Sequence, residues 1–174
     1  MLWVAKSYPT SFLDRNHLQL MENKANKNPF YIQPKAEFKH RLGVQIRFND
    51  IDALGHVNNA IYMEFFDLGK ATYFTDVNGG PVDWRTANVV VANVNCNYLA
   101  PIYFHEPIEV QTQAEYVHDR SVKLLQQLVN TSTGEVKCQC VVIMVGFDVK
   151  AGVSAPISDD WKQKLSAFEG RNLD

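Results

Sequence analysis

No apolar run in this chain comes near the roughly 20 residues that a membrane helix needs, and the opening LWVAKSYP has only four apolar residues before a lysine. Neither a membrane span nor a cleavable leader is expected, so the chain reads as cytoplasmic. An excess of positive charge is also missing: 17 Lys and Arg against 19 Asp and Glu give a formal net charge of -2. That balance offers no general attraction to nucleic acid or to an anionic membrane. Cysteine is scarce and odd in number, with only Cys96, Cys138 and Cys140. Cys138 and Cys140 would share one strand face, but a C-x-C without a second Cys or His pair does not make a metal site. Free core thiols are expected, with no metal and no cofactor.

What is present fits one globular domain. With 174 residues, 46% of them hydrophobic and 21% charged, the chain can bury roughly two-thirds of its unfolded surface. The beginning differs from the rest. Its first 20 residues hold no sustained period, and the following MENKANKNPFYIQPK is rich in Asn and Lys with two prolines. Residues 1–37 therefore read as a poorly packed extension and residues 38–174 as the domain, with Met21 a second candidate start.

From Phe38 to Asn49 apolar and polar residues alternate, the period-2 pattern of a half-buried strand. Next, Asn59 to Phe74 carries the period of a helix. At 100° per residue Ile61, Tyr62, Phe65, Phe66, Leu68, Gly69, Thr72 and Tyr73 fall within a sector of roughly 160°, while Glu64, Asp67 and Lys70 lie outside it. After the glycine and proline loop NGGPVDW come strands at Val90–Tyr98, Ile108–Tyr116, Val122–Asn130 and Val136–Val149. The first two of these alternate in polarity, and the last is β-branched on both faces, as a doubly covered strand should be. Ser158 then caps a short helix that runs to Phe168. A strand, one long helix and four strands joined by tight turns predict an α+β fold, an antiparallel sheet packed on one helix.

The chemistry concentrates in Asp52–Tyr62, DALGHVNNAIY. A carboxylate, a histidine and two asparagines stand just before a helix start, where unpartnered N–H groups and partial positive charge favour an anion. Asn58 is the N-cap candidate, and Tyr62 a core residue that can also wall a pocket. Asp50 reads as structural, paired with Arg47 three residues earlier. Thioester hydrolysis suits such a set, because it needs a base or nucleophile and one donor for developing negative charge, and its thiolate leaves with little acid help.

The R-x-x-D-x-D-x-x-G-H-V-N-N-x-x-Y run from Arg47 to Tyr62, the Tyr98-Leu99-Ala100-Pro101 segment and the Arg120-Ser121 pair resemble the 4-hydroxybenzoyl-CoA thioesterase-like family of hotdog-fold acyl thioesterases. The resemblance spans about Phe38 to Val149. It implies a curved antiparallel sheet of about five strands wrapped around one long central helix, with a short C-terminal helix following. It also implies an acyl-CoA substrate and a homodimer or homotetramer with active sites at the interface. Position by position, Asp52 matches the reactive carboxylate, the Asn59 N–H the donor to the thioester carbonyl, and His56 a histidine of the reactive set. Asn58 and Tyr62 fall beside them as substrate-binding candidates. His118, Arg120 and Ser121 match the segment that meets the nucleotide end of CoA, although Asp119 intrudes on charge that is more basic elsewhere in the family. Leu54 stands where the plant acyl-carrier-protein thioesterases carry asparagine, which disfavours a carrier-protein substrate. The alternatives are that carrier-protein activity or a non-catalytic acyl-CoA-binding protein. A dehydratase would need a different histidine-centred motif, which is absent.

Overall fold

The computed structural model describes residues 28–84 and 88–174. Strand β1 (His40–Val44) leads through a 3-10 turn (Phe48–Asp50) to the long helix α1 (Asn59–Asn78). Strands β2 (Val89–Tyr98), β3 (Ile108–Val117), β4 (Ser121–Asn130), β5 (Val136–Asp148) and the two-residue β6 (Val153–Ser154) follow, and helix α2 (Asp159–Glu169) comes last. The sheet order is β1-β3-β4-β5-β2, with β6 on β5 and every pairing antiparallel. Bulges at Ala92 and Glu115 break the register of the long strands, which bends them and deepens the twist with which the sheet wraps α1. This is the expected hotdog architecture, an α+β fold.

Helix α1 buries Tyr62, Phe65, Phe66, Gly69, Tyr73, Phe74 and Val77 against the sheet. The helix runs one turn past Phe74, to a left-handed Gly79 at φ 71°, the conformation that glycine adopts without a Cβ penalty. Leu68, expected in the buried sector, lies instead on the exposed side. Helix α2 begins at the Ser158 cap, whose hydroxyl accepts from Trp161 N–H at 3.3 Å. Its far end is fastened through Glu169, whose buried carboxylate accepts from the Tyr73 hydroxyl at 2.6 Å and from Ala114 N–H at 2.9 Å.

Three local expectations are corrected. The strand predicted over Phe38–Asn49 pairs only at His40–Val44, because Arg47 N–H turns onto the Asp50 carboxylate at 2.7 Å; Phe48 ends 81% exposed. Strand β2 lies at the sheet edge, with Val90, Val91 and Val94 all exposed, since the bulge at Ala92 moves the apolar alternation off one face. The polar side of β3 is covered rather than solvated. Gln111, Gln113 and Glu115 are buried, and Gln127 bridges to Gln111 at 2.7 Å and accepts from Gln139 at 3.2 Å. Residues 28–37 lie over this face: Ile32 exchanges two hydrogen bonds with the Gln139 amide, at 2.7 and 2.8 Å, and Ala36 accepts from Gln113. The remainder of the predicted extension, residues 1–27, lies outside the described residues.

Helix and sheet meet tightly at Gly69, where a Cβ would meet both Val110 methyls at 2.7 Å. Gly69→Ala is expected to lower unfolding stability by about 1–3 kcal/mol, because the fully buried Val110 has no space to move into. Chemical denaturation of the variant beside the parent measures it.

Candidate active site

The segment before α1 is held from below by Asp50. Its buried carboxylate accepts from Arg47 N–H and from the Arg47 guanidinium at 2.9–3.0 Å, and its carbonyl accepts from Asn58 N–H at 2.8 Å. Arg47 reaches on to Glu64 of α1 at 3.1 Å. Asp50 raises the Arg47 pKa further, first through this hydrogen bond. Above this clamp the chain makes a tight loop. Ile51 bridges Val57, Asp52 N–H donates to His56 C=O at 2.9 Å, and Gly55 N–H returns to Asp52 C=O at 3.1 Å. Gly55 sits at φ 82°, which favours glycine. Val57 N–H donates to Ile102 C=O at 2.8 Å, so the loop is also tied to the segment after β2.

Asp52 and His56 face each other across the loop. One Asp52 oxygen accepts from Leu54 N–H at 2.8 Å, and the other lies 3.5 Å from His56 Nδ1. That nitrogen also lies 3.3 Å from Val57 C=O. Facing two acceptors, Nδ1 is the ring nitrogen placed to donate. Both side chains are partly exposed, at 23% for Asp52 and 28% for His56.

The helix start has one open donor. Asn58 caps as expected, its side-chain oxygen accepting from Ala60 N–H at 2.9 Å, and its carbonyl accepts from Ile61 N–H at 2.9 Å. Of the first three helical amides only Asn59 N–H lacks an acceptor among the described residues, and Asn59 is exposed. Tyr98, at the end of β2, donates to Asn59 C=O at 3.3 Å and packs edge-on against Tyr62 at 5.1 Å. Tyr62 is buried beneath the loop and accepts from Ile102 N–H at 3.2 Å; burial pushes its pKa up to about 12. Phe48 and Phe104, edge to face at 6.3 Å, and the 79% exposed Leu54 flank the loop with apolar surface.

Asp52, His56, Asn58, Asn59 and Tyr62 are thus brought together, whereas His118, Arg120 and Ser121 are not. These three form the β3–β4 turn, closed by His118 N–H on Ser121 C=O at 2.8 Å. Strand β3 separates the two groups: its first residue, Ile108, pairs with Val44 near the loop, and its ten residues span about 30 Å. Arg120 is bound to Ser154, at 2.8 Å to its carbonyl and 3.0 Å to its hydroxyl, and His118 stacks on Tyr116 at 4.3 Å. Sequence reasoning missed Glu64 as the second anchor of Arg47 and Tyr98 as a neighbour of Asn59. The i,i+17 separation of Arg47 and Glu64 carries no local signal; Tyr98 lay in a segment singled out only by resemblance. No three His, Cys, Asp or Glu side chains converge as a metal site among the described residues.

Comparison with known proteins shows the family. Residues 46–165 match the thioesterase-like superfamily. The long-chain acyl-CoA thioesterase FadM of Escherichia coli strain K12 is 27% identical over 125 residues, which are 70% of this chain and 93% of FadM. The uncharacterized protein YsmA of Bacillus subtilis strain 168 is 28% identical over 144 residues, 80% of this chain and 97% of YsmA. Among solved structures, a thioesterase complexed with coenzyme A and Zn from Thermus thermophilus superposes with a TM-score of 0.70 at 28% identity, covering 78% of this chain and 98% of that one.

Because Asn58 satisfies Ala60 N–H, Asn58→Ala is expected to lower unfolding stability by about 1 kcal/mol, and Asn58→Asp to retain most of it. Paired denaturation curves of the two variants measure the difference.

Proposed function

Because the chain belongs to the thioesterase-like superfamily, we propose that this hotdog-fold thioester hydrolase cleaves an acyl-CoA to the free acid and CoA at the loop before α1. The observation that carries the reading is the unpartnered Asn59 N–H, beside a loop that holds Asp52 and His56 3.5 Å apart. FadM, an acyl-CoA thioesterase by name, and the coenzyme A complex from Thermus thermophilus support the substrate class.

In this reading the thioester carbonyl lies against Asn59 N–H. As the carbon becomes tetrahedral, negative charge develops on its oxygen, and the amide together with the helix-start field stabilises it; one such donor contributes about 3 kcal/mol. Asp52 either attacks the carbonyl carbon or takes a proton from the water that does. The C–S bond then breaks and the thiolate leaves. His56, donating from Nδ1, orients Asp52 and keeps the loop closed. Asn58 acts through the cap, and Tyr62 supports the wall beneath the acyl group.

The dimer belongs to the same proposal. Among the described residues edge strand β2 has no strand on its outer side, and it exposes Val90, Val91 and Val94, the features of an edge that another strand can cover. A two-fold axis across β2 reverses the partner's sheet. The partner's β3–β4 turn then comes to the end of the sheet where Asn59 lies, so that His118, Arg120 and Ser121 meet the nucleotide end of CoA from the second subunit.

Two experiments test these claims. Purified protein incubated with short, medium, long and aromatic acyl-CoAs should release thiol from at least one, followed with a chromogenic reagent, and Asp52→Asn should lower kcat by about 10²–10⁴-fold while acyl-CoA still binds. Binding without thiol release from any ester, or full turnover by Asp52→Asn, rejects the hydrolase assignment to this loop. Separately, Val91→Lys combined with Val94→Lys is expected to shift the protein from dimer to monomer in sedimentation and to lower turnover in parallel; a dimer that persists places the interface elsewhere.

A further inference from the structure

Under the first turns of α1, all the cysteines of the chain gather between two neighbouring strands. Cys96 on β2 stands directly opposite Cys140 on β5, and their sulfurs are 2.6 Å apart with both thiols free. Cys138, two residues earlier on β5, stands opposite Tyr98 instead. Met63 of α1 closes the cluster, its sulfur 3.9 Å from Cys96. The proposed hydrolysis uses none of these groups.

We propose that Cys96 and Cys140 are a site of reversible thiol oxidation, closing a cross-strand disulfide when the protein meets hydrogen peroxide. The backbone already allows the bond: directly opposed antiparallel residues lie about 4.5–5.5 Å apart between Cα atoms, inside the range that a disulfide spans. Closing the sulfurs to the bonded distance of about 2.05 Å takes a shift of roughly half an ångström. The three thiols are unequal. Cys96 is partly exposed, whereas Cys138 and Cys140 are buried. Hydrogen bonds from the Cys138 and Cys140 thiols also lower the Cys96 pKa, and the same contacts raise those of its neighbours. An accessible thiol of lowered pKa beside a second thiol is the arrangement that oxidises reversibly.

The Cys96 thiolate attacks one peroxide oxygen, the O–O bond breaks, and with a proton the leaving hydroxide departs as water; Cys96 is then a sulfenic acid. The Cys140 sulfur attacks the Cys96 sulfur, the S–O bond breaks, and the Cys140 proton leaves with the oxygen as a second water. Two thiols have given up two electrons and two hydrogens, and one peroxide has become two waters. Both neighbouring thiols hydrogen-bond to Cys96, and strand register favours Cys140 as the partner because it stands directly opposite Cys96. A thiol reductant restores the starting state.

The protein, reduced, freed of reductant and exposed to a modest excess of hydrogen peroxide, is alkylated, digested and sequenced by fragmentation mass spectrometry. The expected product is a linked Cys96–Cys140 peptide pair with Cys138 alkylated, present also in Cys138→Ser and abolished by dithiothreitol. Cys140→Ser should instead accumulate the sulfenic acid at Cys96, trapped by dimedone. Three alkylated cysteines after peroxide, a Cys96–Cys138 link, or a bond between two chains overturns the proposal. The parent protein alone decides these outcomes should either variant fail to fold.

Discussion

The buried Asp50 carboxylate is the constraint on which the loop before α1 depends. A carboxylate removed from water must have its oxygens satisfied, and here Arg47 meets that requirement with both its backbone N–H and its guanidinium. The demand stops β1, because Arg47 cannot turn its N–H onto Asp50 and continue along the ladder of β3. It also fixes the helix start, because the Asp50 carbonyl holds Asn58 N–H. With both ends pinned, and with Glu64 drawing Arg47 against α1, the loop from Asp52 to His56 has little freedom. In the proposed hydrolysis, pre-organisation of this kind would let a single carboxylate and a single amide serve as the reactive pair.

How much of this was legible in the sequence depended on the range of the interaction. The cap at Asn58, the helix face through Tyr62, Phe65, Phe66 and Tyr73, and the cap at Ser158 rest on residues within a few positions of one another, and the structure places them as expected. The failures involve distant partners. Gln111 and Gln113 read as solvated because glutamine is polar, yet an amide both donates and accepts, and Gln127, Gln139 and the backbone of residues 28–37 complete those bonds on a covered face. Similarly, the alternation through β2 predicted one buried face. The strand's edge position and its bulge at Ala92 depend on pairing with β5, which no local pattern encodes. At the site, Asp52, His56 and Asn59 are near in sequence and were found together, whereas the β3–β4 turn lies at the other end of the sheet.

That separation bears on the quaternary structure. A CoA ester is long, with its thioester at one end and its phosphates at the other, so its recognition calls for two regions set well apart. One chain places Arg120, in the β3–β4 turn, about a strand length from Asn59 at the start of α1, with Arg120 already engaged by Ser154. In the proposed dimer, a second copy paired across β2 would supply the same turn from the opposite direction. The exposed valines of β2 would then be buried by the same contact that completes the binding surface, coupling assembly to recognition.

The open amide at Asn59 is itself a product of how the cap is made. A helix start leaves several N–H groups without intrahelical acceptors. Asn58 removes Ala60 N–H with its side chain and Ile61 N–H with its carbonyl, so the remaining donor is Asn59 N–H. A shorter cap such as serine would still satisfy a first-turn amide, so the cap alone does not explain the pair of asparagines. Asn59 enters through its backbone: the Tyr98 hydroxyl donates to its C=O and braces the outgoing peptide from β2, while the incoming N–H has no acceptor among the described residues. Helix capping, normally a device that hides donors, here hides two of the first three. The reactive loop lies next to the donor it leaves.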